Sequence, residues 1–73
     1  MDIKQQATMT ANEMIAEAIR ERGLTQKQFC ALVGKKPANV STQLRSGYMR
    51  AEEWRSYAKA LGYNVVMIPI EQE

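Results

Sequence analysis

The sequence is poor in the residues from which most catalytic and metal sites are built. It has no histidine, one cysteine and, in Asp2, a single aspartate. The lone Cys30 excludes an intramolecular disulfide and favours a cytoplasmic protein, and the lack of clustered cysteine and histidine excludes a zinc site. The chain also has no phosphate-binding loop. We therefore expect no enzyme activity and predict no catalytic residue, no metal and no cofactor.

Long apolar segments are absent as well. No run approaches the roughly 18 residues of a membrane helix, and the first nine residues lack the apolar core of a signal peptide. The 73 residues predict one domain over 1–73, without membrane association. A domain this small buries only about 60% of its unfolded surface, so its helices must pack economically or a partner must add buried area.

Acidic residues are missing from the middle of the chain. None occurs between Arg22 and Ala51, although the net charge of the whole chain is only +2. The basic residues of this acid-free segment are Arg22, Lys27, Lys35, Lys36, Arg45 and Arg50. A nucleic-acid-binding surface has this kind of charge distribution, because the phosphate backbone repels carboxylates.

Two short helices joined by a glycine turn are predicted within the acid-free segment. A capping box at Thr25 begins a helix over 26–33, and Gly34 ends it in a sharp turn. A second helix over 37–45 begins with a proline, which suits the first helical position, and Gly47 closes it. This pair is typical of a DNA-binding helix-turn-helix unit.

Helices are also predicted on both sides of the pair. A capping box at Thr10 begins a helix over 11–22, and an amphipathic pattern predicts another over 51–61. Residues 1–9 are weakly patterned and can form either an arm or the start of the first helix. Residues 64–70 are rich in β-branched side chains and predict a short strand, which Pro69 places at an edge or strand end.

The expected fold is therefore all-α: a compact four-to-five-helix helix-turn-helix domain with a helical core over 11–62 and a short C-terminal β-strand over 64–70. Apolar spacing along the helices predicts which side chains meet in one core. These are Ile15, Ile19, Phe29, Leu32, Val40, Leu44, Trp54, Tyr57 and Leu61.

Several of these residues also carry a resemblance over about residues 11 to 62. They are Leu24-Thr25-Gln26, Phe29, Cys30, Leu32-Val33-Gly34, Val40, Trp54, Tyr57, Ala58, Leu61 and Gly62. The chain resembles the phage-repressor type of helix-turn-helix domain, the lambda-repressor and Cro-like family, and especially small bacterial members carried on mobile elements. The resemblance implies a DNA-binding transcriptional regulator. It also implies that Gln26 binds a backbone phosphate at the start of the second helix, where a helix N-terminus favours an anion.

The face that approaches the bases can be derived from the helical repeat. If Val40 and Leu44 point inward, Thr42 points most directly away at 100° per residue. The predicted base contacts are Ala38, Asn39, Thr42, Gln43, Arg45 and Ser46. Amide side chains pair with adenine and small methyls meet the thymine methyl, so this face favours an A·T-containing half-site. The predicted phosphate contacts are Gln26, Lys27, Lys35, Lys36 and Arg50.

The predicted strand has no evident partner within the chain. Left alone it would be an aggregation-prone edge, so we expect it to pair with the same strand of a second copy across a two-fold axis. The residues expected at that homodimer contact are Val65, Val66, Met67, Ile68 and Ile70. The alternative is that the strand folds back onto residues 2–4 of its own chain.

The predicted function is a sequence-specific transcriptional regulator that binds a double-stranded operator as a dimer, with the helix over 37–45 in the major groove. The alternative is an antitoxin-like or accessory protein-interaction module with the same fold. In that case the 64–70 strand and the tail at 71–73 would bind the partner. The sequence shows no pocket for a small-molecule effector.

Overall fold

The computed structural model describes residues 1–46 and 48–70, and over these residues the chain is all-helical. Five helices follow one another: α1 (Ile3–Gln6), α2 (Ala11–Glu21), α3 (Gln26–Val33), α4 (Pro37–Ser46) and α5 (Ala51–Ala60). The prediction of an all-α fold is confirmed. Gly47, predicted to close α4, and the tail at 71–73 lie outside the described residues. No helix in the described residues is long and apolar enough to cross a membrane.

Local sequence signals set the helix boundaries. Both predicted capping boxes are present: the Thr10 and Thr25 hydroxyls accept from the backbone N–H groups of Glu13 and Gln28, at 3.1 Å in each case. A third box at Asp2 begins α1. The 1–9 region is therefore not an extension of α2, because it contains a separate four-residue helix.

One core joins the longer helices. α2 packs on α4 and α5, and α3 packs on the same two helices. The buried apolar side chains are Ile15, Ala18, Ile19, Phe29, Cys30, Val40, Tyr57, Ala58 and Leu61. At its centre the Phe29 and Tyr57 rings meet edge to face, with centroids 5.2 Å apart. Leu44 and Trp54, predicted as core, are half-buried and pack against its margin.

The core prediction is wrong for Leu32, which is 55% exposed. The spacing of Phe29, Leu32 and Val33 suggested one inward stripe. In the structure the buried stripe of α3 is rotated toward Cys30, which is 2% exposed. At 100° per residue, Leu32 then lies roughly a right angle away from the centre of that stripe and faces outward.

The strand predicted over 64–70 is not present in the single chain. Those residues have no regular secondary structure, and no backbone–backbone hydrogen bond involves them within the part of the chain described here. The physical reason is that no other described residue forms a strand with which this segment could pair. Residues 3–6 form α1, so the alternative in which the strand folds back onto residues 2–4 is also not observed.

The contrast between Phe29 and Leu32 gives a direct test of the packing. Phe29→Ala removes a fully buried ring and should lower the free energy of unfolding by about 3–5 kcal/mol. Leu32→Ala should cost less than about 1 kcal/mol, because that side chain is largely solvated. Urea unfolding followed by helical circular dichroism measures both, and equal losses would contradict the orientation of α3.

Candidate nucleic-acid interface

The turn between α3 and α4 is built by backbone geometry. The Gly34 N–H donates to the Cys30 carbonyl as the last bond of α3, and its φ of +68° lets the following Lys35 N–H turn back to the same carbonyl at 3.1 Å. The Lys36 carbonyl then accepts from the N–H groups of Asn39 and Val40, at 3.0 and 3.2 Å, and so begins α4. Lys35 and Lys36 are both exposed on this turn.

One face of α4 packs against the core, and the opposite face is exposed to solvent. Val40 is fully buried and Leu44 half-buried, as the predicted inward face requires. The predicted outward residues that are exposed are Ala38, Asn39, Thr42, Arg45 and Ser46. The rotation of α4 derived from the sequence is thereby confirmed, while contact with bases stays a prediction.

The two hydroxyls on this face already have partners. Thr42 donates to the Ala38 carbonyl at 2.9 Å, one turn back in α4. Ser46 donates to the Gln43 carbonyl at 3.0 Å and accepts from the Tyr48 N–H at 3.2 Å, so it caps the end of α4. Thr42 therefore offers mainly its methyl group to a ligand, and Ser46 has a structural role in the turn.

Gln43, a predicted base contact, is bonded within the chain instead. Its amide nitrogen donates to the Glu53 carboxylate, and its amide oxygen accepts from the Tyr57 hydroxyl at 2.6 Å. Its backbone carbonyl accepts from the side chain of Asn12. We call these four residues the Gln43 hub. They tie α2 and α5 to the C-terminal half of α4.

Asn12 and Glu53 are residues of this site that the sequence did not predict, and Asn12 is the more deeply buried of the two. It is the one buried polar residue among those described, at 3% exposure. Its amide donates to the Gln43 backbone carbonyl in the last turn of α4, which also accepts from the Ser46 hydroxyl. The sequence did contain a signal for its position, because the spacing of Asn12, Ile15 and Ile19 places the three side chains on the same face of α2, toward the core.

The predicted phosphate contacts are all exposed, namely Gln26, Lys27, Lys35, Lys36 and Arg50. Neither α3 nor α4 has an acidic residue in its first turn, so the positive ends of both helix dipoles are uncompensated. Arg50 differs, because it precedes α5, whose first turn contains Glu52 and Glu53. The N-termini of α3 and α4 are thus the parts of the site best suited to an anion.

An acidic residue from outside the acid-free segment lies next to that segment in the fold. α5 places Glu53 at the flank of α4. A polar depression there, which we call the α4 depression, is lined by Lys35, Asn39, Thr42, Gln43, Glu53 and Tyr57. Burial raises the pKa of the Tyr57 hydroxyl, and the neighbouring Glu53 carboxylate and Cys30 raise it further. Tyr57 therefore stays neutral and remains a hydrogen-bond donor to Gln43.

Arg22, the first basic residue of the acid-free segment, lies elsewhere. Its guanidinium lies over the Tyr63 ring, 4.9 Å from the centroid. The positive φ of +87° at Gly62 favours glycine, and a Cβ there would come within 2.8 Å of the Arg22 Nη2 atom, so the arginine side chain would have to shift. Arg22 thus holds the point at which the chain leaves α5.

The C-terminal segment, residues 63–70, runs beside an apolar groove. The groove has a volume of about 290 Å³ and is bounded by α1, α2, α5 and this segment. Val65 packs against the core, whereas Val66, Met67, Ile68 and Ile70 are 68%, 98%, 56% and 89% exposed. Four exposed apolar side chains within five residues are unusual for a monomer and typical of a surface that another molecule covers.

Comparison of the chain with protein-family models, with curated proteins and with solved structures found no significant match.

The hub yields a pH-dependent prediction. Tyr57→Phe should lower stability at neutral pH by about 1 kcal/mol, because Gln43 loses a donor. The Tyr57 pKa is raised on folding, so its contribution is complete below the unfolded pKa of about 10 and is lost as pH rises through the folded value. The variant should therefore lose less stability than the unsubstituted protein above about pH 10.

Thermal unfolding followed from neutral to alkaline pH measures this difference. Tyr48→Phe is the matched control, because it removes a phenol that is 69% exposed and outside the hub. An alkaline decline that is as steep in Tyr57→Phe as in the unsubstituted protein would show that Tyr57 does not ionise at a cost to the fold.

Proposed function

We propose that the protein is a sequence-specific DNA-binding transcriptional regulator that inserts α4 into the major groove. The observation that carries the proposal is the exposed face of α4, which presents Ala38, Asn39, Thr42 and Arg45 directly after the Lys35–Lys36 turn. An α-helix with a polar outer face and a basic N-terminal turn fits the width and charge of the major groove. The resemblance of residues 11 to 62 to phage-repressor helix-turn-helix domains supports the same reading.

The proposed site makes two kinds of contact with DNA, one with backbone phosphates and one with bases. The N-termini of α3 and α4, with Gln26, Lys27, Lys35 and Lys36, suit backbone phosphates, because neither helix has an acidic residue in its first turn to compensate the positive end of its dipole. Arg50, ahead of α5, extends this set. Asn39 and Arg45 offer amide and guanidinium groups that pair bidentately with adenine and guanine, and the Ala38 and Thr42 methyls suit thymine.

We further propose that the protein acts as a homodimer through the C-terminal segment. The support is the row of exposed apolar side chains from Val66 to Ile70 and a backbone with no ladder partner in the described chain. Antiparallel pairing of two copies about a two-fold axis would complete the strand expected over 64–70 and cover these side chains. It would also set two α4 helices about 34 Å apart, or a multiple of that, for two half-sites.

The same segment supports a second candidate, an antitoxin-like or accessory protein that binds a protein partner. Its exposed apolar side chains and the neighbouring groove would suit either kind of protein contact. Salt dependence distinguishes the two functions. Affinity for duplex DNA falls linearly with salt on logarithmic axes, because bound counterions are released.

Phosphate and base contacts should separate in a binding experiment. Lys36→Ala should weaken binding to all duplexes alike and reduce the salt slope by about one unit. Asn39→Ala should instead change the preference among sites, by about 1–3 kcal/mol at one position. Lys59→Ala, which removes an exposed lysine from the last turn of α5, controls for charge alone. The docking face would be wrong if Lys36→Ala changed sequence preference and Asn39→Ala changed only the salt slope.

The dimer proposal has its own test. Met67→Glu combined with Ile70→Glu places two charges in the proposed contact and should give a monomer that binds the operator more weakly. Leu32→Glu charges an exposed apolar residue outside that contact and should leave the sedimentation coefficient unchanged. An unsubstituted protein that sediments as a monomer at high micromolar concentration would contradict a stable dimer.

A further inference from the structure

Glu53 occupies an unexpected place for an acidic residue. It belongs to the first turn of α5, yet it lines the α4 depression together with Asn39 and Thr42, two of the proposed base contacts. The side chain is half-buried, so it is not a carboxylate extended freely into solvent. The phosphates of DNA repel a carboxylate. If α4 binds DNA, the Glu53 carboxylate beside it therefore needs a positive or hydrogen-donating partner.

That partner is only partly supplied by the chain itself. Gln43 donates to one Glu53 carboxylate oxygen, and the other oxygen has no hydrogen-bond partner among the described residues. No lysine or arginine in residues 1–46 and 48–70 forms an ion pair with it. The carboxylate is thus oriented by Gln43 while one acceptor oxygen and the negative charge remain available.

The major groove offers one base edge that suits such a group. Cytosine presents its N4 amino group, a donor, without a neighbouring acceptor. Guanine presents two acceptors, thymine presents an acceptor and a methyl group, and adenine sets its donor beside the N7 acceptor. A carboxylate therefore attracts cytosine and repels the acceptor edges of the other bases.

We propose that Glu53 is a specificity-determining residue that accepts a hydrogen bond from a cytosine N4 amino group, with Gln43 positioning its carboxylate. The inference rests on the proposed function, because it requires α4 to lie in the major groove. It adds a cytosine contact to a recognition face whose other side chains suit adenine, guanine and thymine. It also accounts for an acidic residue on the flank of an otherwise basic helix pair.

The test compares two neighbouring carboxylates. Glu53→Gln removes the charge but keeps an oxygen that can accept from Gln43, whereas Glu52→Gln removes the same charge from the same turn of α5 outside the α4 depression. Duplexes selected from random DNA by the full-length unsubstituted protein define the site. Competition between the selected duplex and its single-position variants is then measured for each protein, with thermal unfolding to verify that each variant folds.

We expect the unsubstituted protein to select a cytosine in each half-site and Glu53→Gln to lower that preference by about tenfold, since a glutamine amide can also donate to base acceptors. Glu52→Gln should keep the preference. Glu53→Asp retains the charge but shortens the side chain, and it should also lose the preference. It keeps the test decisive if Glu53→Gln does not fold.

Three results would overturn the inference in different ways. If both glutamine variants keep the same base preferences, Glu53 only holds Gln43 in place. If the unsubstituted protein binds duplex DNA with a steep salt slope but selects no cytosine, Glu53 reads no base and the proposed function still stands. If no salt-dependent duplex binding occurs, the proposed function fails and the inference fails with it.

Discussion

The position of α4 depends on the hydrogen bonds of Gln43. This one residue accepts from Asn12 of α2, accepts from Tyr57 of α5 and donates to Glu53 of α5. Val40 sets which side of α4 faces the core, but an apolar contact alone permits a helix to slide or rotate. Directional bonds to two other helices remove that freedom. The outer face of α4 is therefore presented at one angle, as the proposed contact with bases would require.

This arrangement also suits the size of the chain. A domain of 73 residues has a small core, and the described residues contain no buried side-chain polar atom without a partner. The buried side-chain polar atoms at the junction of α2, α4 and α5 thus each have a partner, so they orient the helices without the penalty of an unpaired buried group. Tyr57 joins the apolar core to the Gln43 hub. Its ring packs against Phe29 in the core, and its hydroxyl donates to Gln43.

Local chemistry explains how much could be predicted from the sequence. The capping boxes at Thr10 and Thr25 and the glycine turn at Gly34 are short-range signals, and they predicted α2, α3 and the beginning of α4. The helical repeat then placed Thr42 outward. The hub was not predictable in this way, since Asn12 and Gln43 are 31 residues apart and no local pattern pairs them. The wrong prediction for Leu32 has a similar cause. The apolar spacing of α3 fits two adjacent faces, and only tertiary packing determines which of them is buried. The C-terminal segment has strand-forming residues, but a strand also needs a second strand beside it, and residues 1–46 and 48–70 contain none.

The central claim is that the exposed face of α4 binds duplex DNA. The most direct measurement follows backbone amide chemical shifts of the ¹⁵N-labelled full-length protein while a selected operator duplex is added. The account predicts the largest changes in α4, in the Lys35–Lys36 turn and at the N-terminus of α3, with saturation that weakens as salt is added. Changes confined to the groove beside α1 and the C-terminal segment, or no change at any ratio of DNA to protein, would contradict it.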